Sequence, residues 1–210
     1  RSSEPTASLG LLFDLKYSGK GLKVAEVVKG GPFDHANLTL KAGDVITAIN
    51  GNEITEEQDI SILMAGLAGR KTLVSTEDGR SEVVIPVSSS KMNDLLYDRW
   101  IRQRAADVEK WSGGRLGYVH IRKMNDGSFR PVYSDVMGKY YKCDGIVIDT
   151  RFNGGGRMHE DVEVLFSGHK YLTQMVRGRE MCDMPSRRWN KPSIMLTCEA
   201  NYSNAHGTPW

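Results

Sequence analysis

Residues 144–157 read Asp-Gly-Ile-Val-Ile-Asp-Thr-Arg-Phe-Asn-Gly-Gly-Gly-Arg, an apolar strand that runs into a polar turn, three glycines and then a helical pattern. Glycine-exposed backbone N–H groups ahead of a helix can hold a phosphate, a dinucleotide pyrophosphate or the oxyanion of an acyl-transfer intermediate. The run lacks Gly-Lys-Ser/Thr and the spacing GxGxxG, which makes phosphate the weaker of these ligands. Outward from this stretch, the patterns predict strand Leu116–Ile121, helix Val132–Tyr141, buried strand Gly145–Asp149, helix Met158–Phe166 and buried strand Ser193–Thr197. Such alternation implies an α/β layer.

The first part of the chain has a different rhythm. Short alternating strands are expected at Leu22–Val28, Asp44–Asn50, Lys71–Thr76 and Ser81–Pro86, punctuated by Gly30-Gly31-Pro32, Asn50-Gly51 and Asp78-Gly79. Between them, Gln58–Leu67 sets Ile60, Leu63, Met64 and Leu67 at helical spacing behind the acidic start Glu56-Glu57-Gln58-Asp59. Ser88-Ser89-Ser90 reads as a linker, and Lys91–Lys110 as an amphipathic connecting helix. The organisation predicted is a β-rich domain over 8–88, a linker helix over 89–112 and an α/β domain over 113–210.

Composition limits the partners. The 210 residues carry a net charge of +2, spread along the chain, with the densest basic cluster at Arg177, Arg179, Arg187 and Arg188, so no nucleic-acid partner is expected. No apolar run reaches the roughly 18 residues that span a bilayer. Cys143, Cys182 and Cys198 form no CxxC pair, which predicts buried free thiols with neither a disulfide framework nor a zinc site. His159-Glu160-Asp161-Val162-Glu163 is not HExxH, and no metal or cofactor is expected. A start at Arg1 leads to the expectation of a trimmed or excised piece, which leaves the compartment open, periplasmic or otherwise extracytoplasmic on one side and cytoplasmic on the other; a homo-oligomer is left open too.

A second chemical signal follows the strand at residues 193–197, where the chain reads Cys198-Glu199-Ala200-Asn201-Tyr202-Ser203-Asn204-Ala205-His206-Gly207. A serine at a strand exit, near a helix N-terminus, is placed for negative charge to develop beside it. The plainer role for Ser203 is that of an N-cap.

Two resemblances draw these features together. Gly10-Leu11-Leu12-Phe13, the turn at Gly30-Gly31-Pro32 and the run Leu40–Gly51 resemble a PDZ domain, which implies that a peptide adds as a strand along Leu11, Leu12 and Phe13, opposite Ile62. The alternative is that these are strand residues of a β-core. Asp149–Gly156 and Tyr202–Gly207 resemble the S41 peptidases, most closely the tricorn-related branch, and Gly114–Ile121 resembles the strand that opens their catalytic core. The resemblance implies an α+β and α/β chain: a small PDZ-like domain, then a partial peptidase domain of ClpP/crotonase-like type, truncated at its C-terminus.

By the same resemblance, Ser203 attacks a peptide carbonyl. The N–H of Asn204, with one from Gly154 or Gly155, forms the oxyanion hole, and the substrate is a peptide or unfolded protein. The family's base is a lysine downstream of the serine, or in the tricorn branch a histidine ahead of the PDZ domain aided by an acidic residue after the serine. Only seven residues follow Ser203, so the base is expected outside this chain, which alone is expected to be inactive. His206 lies one turn from Ser203 and aims poorly at its hydroxyl; His120 and His159 read as structural, and His35 and His169 as surface residues. The rival reading is a non-catalytic PDZ scaffold with a degenerate peptidase domain.

Overall fold

A computed structural model describes residues 5–55 and 59–209. The chain divides into two compact units between Trp100 and Ile101, inside one long helix.

In the first unit the strands are β1 (Ala7–Ser8), β2 (Leu11–Phe13), β3 (Leu22–Val27), β4 (Val45–Ile49), β5 (Asn52–Glu53), β6 (Thr72–Thr76), β7 (Ser81–Val84) and β8 (Val87–Ser88). The main sheet runs β2-β3-β4-β6-β7 through antiparallel pairs, so β2 is an edge strand, and β5 pairs with β4. Alternation within these strands turns Val24, Ile46, Ile49, Val74 and Val84 into one core. The short α1 (Ile60–Leu63) packs on it through partly buried Ile60 and Leu63, and Asp59 caps the helix by accepting from the Ser61 N–H at 2.9 Å. The rest of the acidic start, Glu56-Glu57-Gln58, lies outside the described residues.

The expected linker at Ser88-Ser89-Ser90 is not a loop. Ser88 ends β8, and α2 (Ser89–Ser112) begins at the next residue. Serine is tolerated there because a hydroxyl can satisfy free groups of the first turn: Ser88 Oγ accepts from the Lys91 N–H at 3.2 Å, and Ser89 Oγ donates to the Thr6 carbonyl at 2.7 Å. Met92 and Leu95 bury against Val28, and Arg99 makes a bidentate pair with Glu26 at 2.7 and 2.6 Å.

The second unit holds β9 (Leu116–His120), α3 (Asp126–Met137), β10 (Gly145–Asp149), α4 (His159–Ser167), β11 (Leu172–Val176), β12 (Arg179–Met184), β13 (Ser193–Leu196) and α5 (Asn204–Gly207). Its sheet is parallel, in the order β13-β10-β9, with Asp149 level with both His120 and Leu196. All five residues of the central β10 are buried, which accounts for its uninterrupted apolar run. Ile146 and Ile148 face a core that includes Val132 and Val136 of α3 and Val162 and Leu165 of α4.

Two expectations about helices and thiols need correcting. α3 begins six residues before the expected Val132, because Asn125 accepts from the Ser128 N–H at 3.0 Å as N-cap and the helix continues through Pro131. Proline there forgoes one helical N–H bond and crowds the carbonyl four residues before it, while the apolar face beyond it is buried through Val132 and Val136. Cys143 and Cys198 are half-buried and Cys182 is exposed on β12, so none of the three is the buried thiol expected. The β11–β12 hairpin carries no helix and was not signalled by its mixed polar pattern.

Candidate active site

Parallel pairing sets the C-terminal ends of β9, β10 and β13 side by side, the edge of an open α/β sheet where ligand sites form. Two loops leave this edge. One follows β10 through Thr150 to Gly156, and the other follows β13 through Cys198 to Ser203.

The loops are stitched together by polar contacts. Thr150 donates through both its N–H and its hydroxyl to the Leu196 carbonyl, at 2.9 and 3.1 Å, and Asn201 Nδ2 donates to Thr150 Oγ1 at 3.1 Å. The Phe152 N–H points to Cys198 Sγ at 3.2 Å, and the Tyr202 N–H donates to the Asn153 carbonyl at 3.0 Å. Asn204 Nδ2 donates to the Gly156 carbonyl at 2.6 Å. An aspartate at this position could not donate this bond.

Gly155 is where the loops meet. A Cβ there would lie 2.7 Å from the Tyr202 carbonyl oxygen and 2.8 Å from Ser203 Cβ, and its φ of +83° is one that side chains rarely adopt. Gly156 is as constrained, at φ +142° with a Cβ position 2.0 Å from the Met124 carbonyl oxygen, whereas Gly154 has open space around it. Ser203 itself has φ +55° and ψ −132°, an unusual conformation for a residue with a side chain. It stands at the N-cap position of α5, yet its side chain makes no capping hydrogen bond. The N-cap reading therefore has no support in the geometry, and the exposed hydroxyl is held beside the glycine turn by a strained backbone.

The three backbone N–H groups expected as donors are not equivalent. Gly155 donates to Asn153 Oδ1 at 2.8 Å. Among the described residues, the N–H groups of Gly154 and Asn204 meet no protein acceptor, and neither does that of Gly156, which the sequence reasoning did not single out. Asn153 was passed over as well, although an asparagine just after a strand and before glycines is the usual start of a turn closed by its own side chain.

Behind the loops lies a buried charge. The Asp149 carboxylate is fully buried and receives the Tyr118 hydroxyl at 2.7 Å, Arg151 Nε and a terminal guanidinium nitrogen at 2.9 and 2.6 Å, and the Arg151 N–H at 3.0 Å. His120 Nδ1 is 3.8 Å from it. Burial pushes the Asp149 carboxyl up, but the neighbouring His120 imidazole and the hydrogen bonds from Arg151 and Tyr118 outweigh that and hold it well below the usual carboxylate range. Burial first, and then the hydrogen bond to the Asp149 carboxylate, raise Tyr118 against the opposing charge of Arg151, so its hydroxyl stays a donor. His120 is thus part of the loop's foundation, while His206 is exposed with its N–H bonded to the Ser203 carbonyl at 2.9 Å. His35 and His169 are exposed and His159 half-buried. Among the described residues no three His, Cys, Asp or Glu side chains cluster as a metal site, and no helix is long and apolar enough to cross a membrane.

In the first unit, alternation along β2 does not bring all the expected peptide-lining residues together. Leu11 is buried in the sheet core with Phe13 partly buried against it, Leu12 packs toward Val28, Met92 and Leu95, and Ile62 on α1 is exposed.

A sheet-edge module followed by a parallel sheet with a serine against a glycine turn defines a class, and the comparisons agree with it. Residues 115–210 match the family model "Peptidase family S41", and residues 23–77 match that of the PDZ domain. The chain belongs to peptidase family S41, in its tricorn-related branch, with a PDZ domain ahead of the peptidase segment.

It is 32% identical to tricorn protease homolog 1 of Streptomyces coelicolor over 82% of this chain and 16% of that protein. To the tricorn protease of Thermoplasma volcanium it is 26% identical over 89% of this chain and 18% of that protein. The crystal structure of the tricorn protease superposes with a TM-score of 0.75 at 18% identity, covering 97% of this chain and 20% of the solved one. The chain thus spans less than a quarter of the length of these relatives.

Two outcomes test this geometry. Gly155→Ala lowers the urea unfolding free energy by at least about 1–3 kcal/mol, whereas Gly154→Ala, with room for its methyl, changes it by less than about 0.5 kcal/mol. Equal effects would contradict the close approach at Gly155. Because the Asp149 carboxyl is depressed in the folded state, its stabilisation is complete above the unfolded value of about 3.9 and is lost as pH falls through the folded value. Asp149→Asn is therefore expected to be less stable at pH 7 by about 3–5 kcal/mol and to lose less stability on acidification below about pH 4. A variant with the parent's acid slope would refute the assignment.

Proposed function

We propose that the chain is the PDZ and partial catalytic region of a serine endopeptidase acting on peptides or unfolded protein, with Ser203 as nucleophile. One observation carries the reading. Ser203, strained and with a side chain that makes no capping bond, abuts a glycine turn whose outer N–H groups meet no protein acceptor among the described residues, at the C-terminal edge of a parallel sheet.

In this reading Ser203 Oγ bonds to the carbonyl carbon of the scissile peptide as its proton passes to a base. The resulting oxyanion receives the N–H of Asn204 and one from the glycine turn. Gly155 is occupied by Asn153, so Gly154 or Gly156 is the loop's donor in this scheme. Each such donor stabilises the transition state by about 2.7–4 kcal/mol. The intermediate collapses by breaking the C–N bond, with the base returning the proton to the leaving amine, and water then hydrolyses the acyl-serine by the reverse proton path.

The base comes from outside the described residues in this scheme. His120 is buried against Asp149, and His206, three residues after Ser203, has its N–H bonded back to the Ser203 carbonyl within the first turn of α5. In the PDZ unit, the unpaired edge of β2 is the place where an extended peptide would add by main-chain hydrogen bonds.

The full-length protein that contains this chain is expected to hydrolyse an internally quenched casein-derived peptide. Ser203→Ala lowers kcat by about ten-thousand-fold or more with the fold retained. Retention of activity by Ser203→Ala would overturn the assignment.

A further inference from the structure

The side chain of Asn153 is completely buried, and its polar atoms bond to the exit of β9, to two points of its own loop and to the loop that leads to Ser203. Nδ2 donates to the Ile121 carbonyl at the exit of β9, at 2.6 Å. Oδ1 accepts from the Gly155 N–H at 2.8 Å. The main-chain carbonyl accepts from the Tyr202 N–H at 3.0 Å, one residue before Ser203, and the main-chain N–H donates to the Thr150 carbonyl at 3.1 Å. One residue therefore ties the end of β9, the glycine turn and the approach to Ser203 to one another.

We propose that Asn153 is a positioning residue for the oxyanion hole: it fixes the glycine turn's amides relative to Ser203 and touches neither substrate nor reacting atoms. The inference rests on the reading of Ser203 as the nucleophile.

Three consecutive glycines can rotate their peptide planes with little resistance, so a donor among them is useful only if something pins the turn. Asn153 does this from within, holding the middle N–H of the three, while those of Gly154 and Gly156 meet no protein acceptor among the described residues. A side-chain amide suits this place because its donor and its acceptor sit on separate atoms that reach two different groups. The site needs one donor and one acceptor in the same small side chain, both buried, and an unmet partner there costs the full desolvation of the group left behind. The Tyr202 bond places the serine in the same frame, so a loosened Asn153 shifts donors and nucleophile against each other. A misplacement of about 1 Å can cost roughly a hundredfold in rate.

The test uses the full-length protein and hydrolysis of the internally quenched casein-derived peptide. Asn153→Ala is expected to lower kcat about a hundredfold while KM stays within about threefold. Val136→Ala, a buried change on α3 away from the loops, serves as the comparison: it lowers stability and leaves kcat per folded molecule unchanged. If the Asn153→Ala loss merely tracks its unfolded fraction, as in Val136→Ala, the proposal fails.

Asn153→Asp gives a second, chemical readout. The carboxylate still accepts from Gly155 but sets a negative oxygen against the Ile121 carbonyl, and only its protonated form restores the donor. Its kcat relative to the parent protein is therefore expected to rise severalfold from pH 8 to pH 6. The titratable groups around it, His120, Asp149 and Arg151, are present in both proteins, so their own titration cancels in the ratio. A flat ratio overturns the proposal, and this variant decides if Asn153→Ala does not fold. Ser203→Ala in the same assay separates the two readings. Activity in Ser203→Ala defeats the nucleophile assignment, whereas an inactive Ser203→Ala beside a fully active Asn153→Ala defeats only the positioning role.

Discussion

Two loops that leave adjacent parallel strands must come within van der Waals contact, and they can do so only because residue 155 has no side chain. Everything near Ser203 follows from that approach. With the backbone of Gly155 against Tyr202 and Ser203, the carbonyls and N–H groups of the two loops fall within hydrogen-bonding range, and the asparagines at 153, 201 and 204 complete the seam. The sheet supplies direction and the glycine supplies proximity. Neither alone would bring a hydroxyl and free amides to one place.

The strain at Ser203 needs a rigid support, since residues in rarely populated backbone conformations cost about 1–3 kcal/mol each and persist only where their surroundings dictate them. Phe152, at φ +64°, is a second such residue in the same seam. The support is a fully buried β10 that ends in Asp149, whose carboxylate gathers Tyr118 from the neighbouring strand and Arg151 from the loop itself. A charge so placed would be costly unpaired. Paired, it fixes where the loop starts, five residues before Gly154.

Much of this was legible in the residues. The uninterrupted Ile146-Val147-Ile148 followed by three glycines announced a buried strand feeding a tight turn, and a serine after the next apolar strand marked the partner loop. The α/β alternation and the β-rich first unit followed from periodicity. What periodicity misses is the work of single polar groups. The cap by Asn125 that lengthens α3 through Pro131 and the start of α2 inside a serine run are local hydrogen bonds that override composition. In the site, Ser203 beside Gly155 is a contact between residues far apart in sequence, which no local pattern encodes. The occupation of the Gly155 N–H by Asn153, which shifts attention to Gly154 and Gly156, becomes visible only once the turn is folded. The face of a three-residue strand such as β2 is equally hard to read, and alternation there separates Leu12 from Leu11 and Phe13.

The central claim is that these 210 residues hold the nucleophile and the oxyanion donors of a peptidase. The most direct measurement is to treat the full-length protein with a fluorophosphonate and map the adduct by peptide mass spectrometry. The account predicts one adduct, on Ser203, that does not form once the protein is unfolded in urea. An adduct on another serine, or peptide hydrolysis that continues while Ser203 stays unmodified, would contradict it.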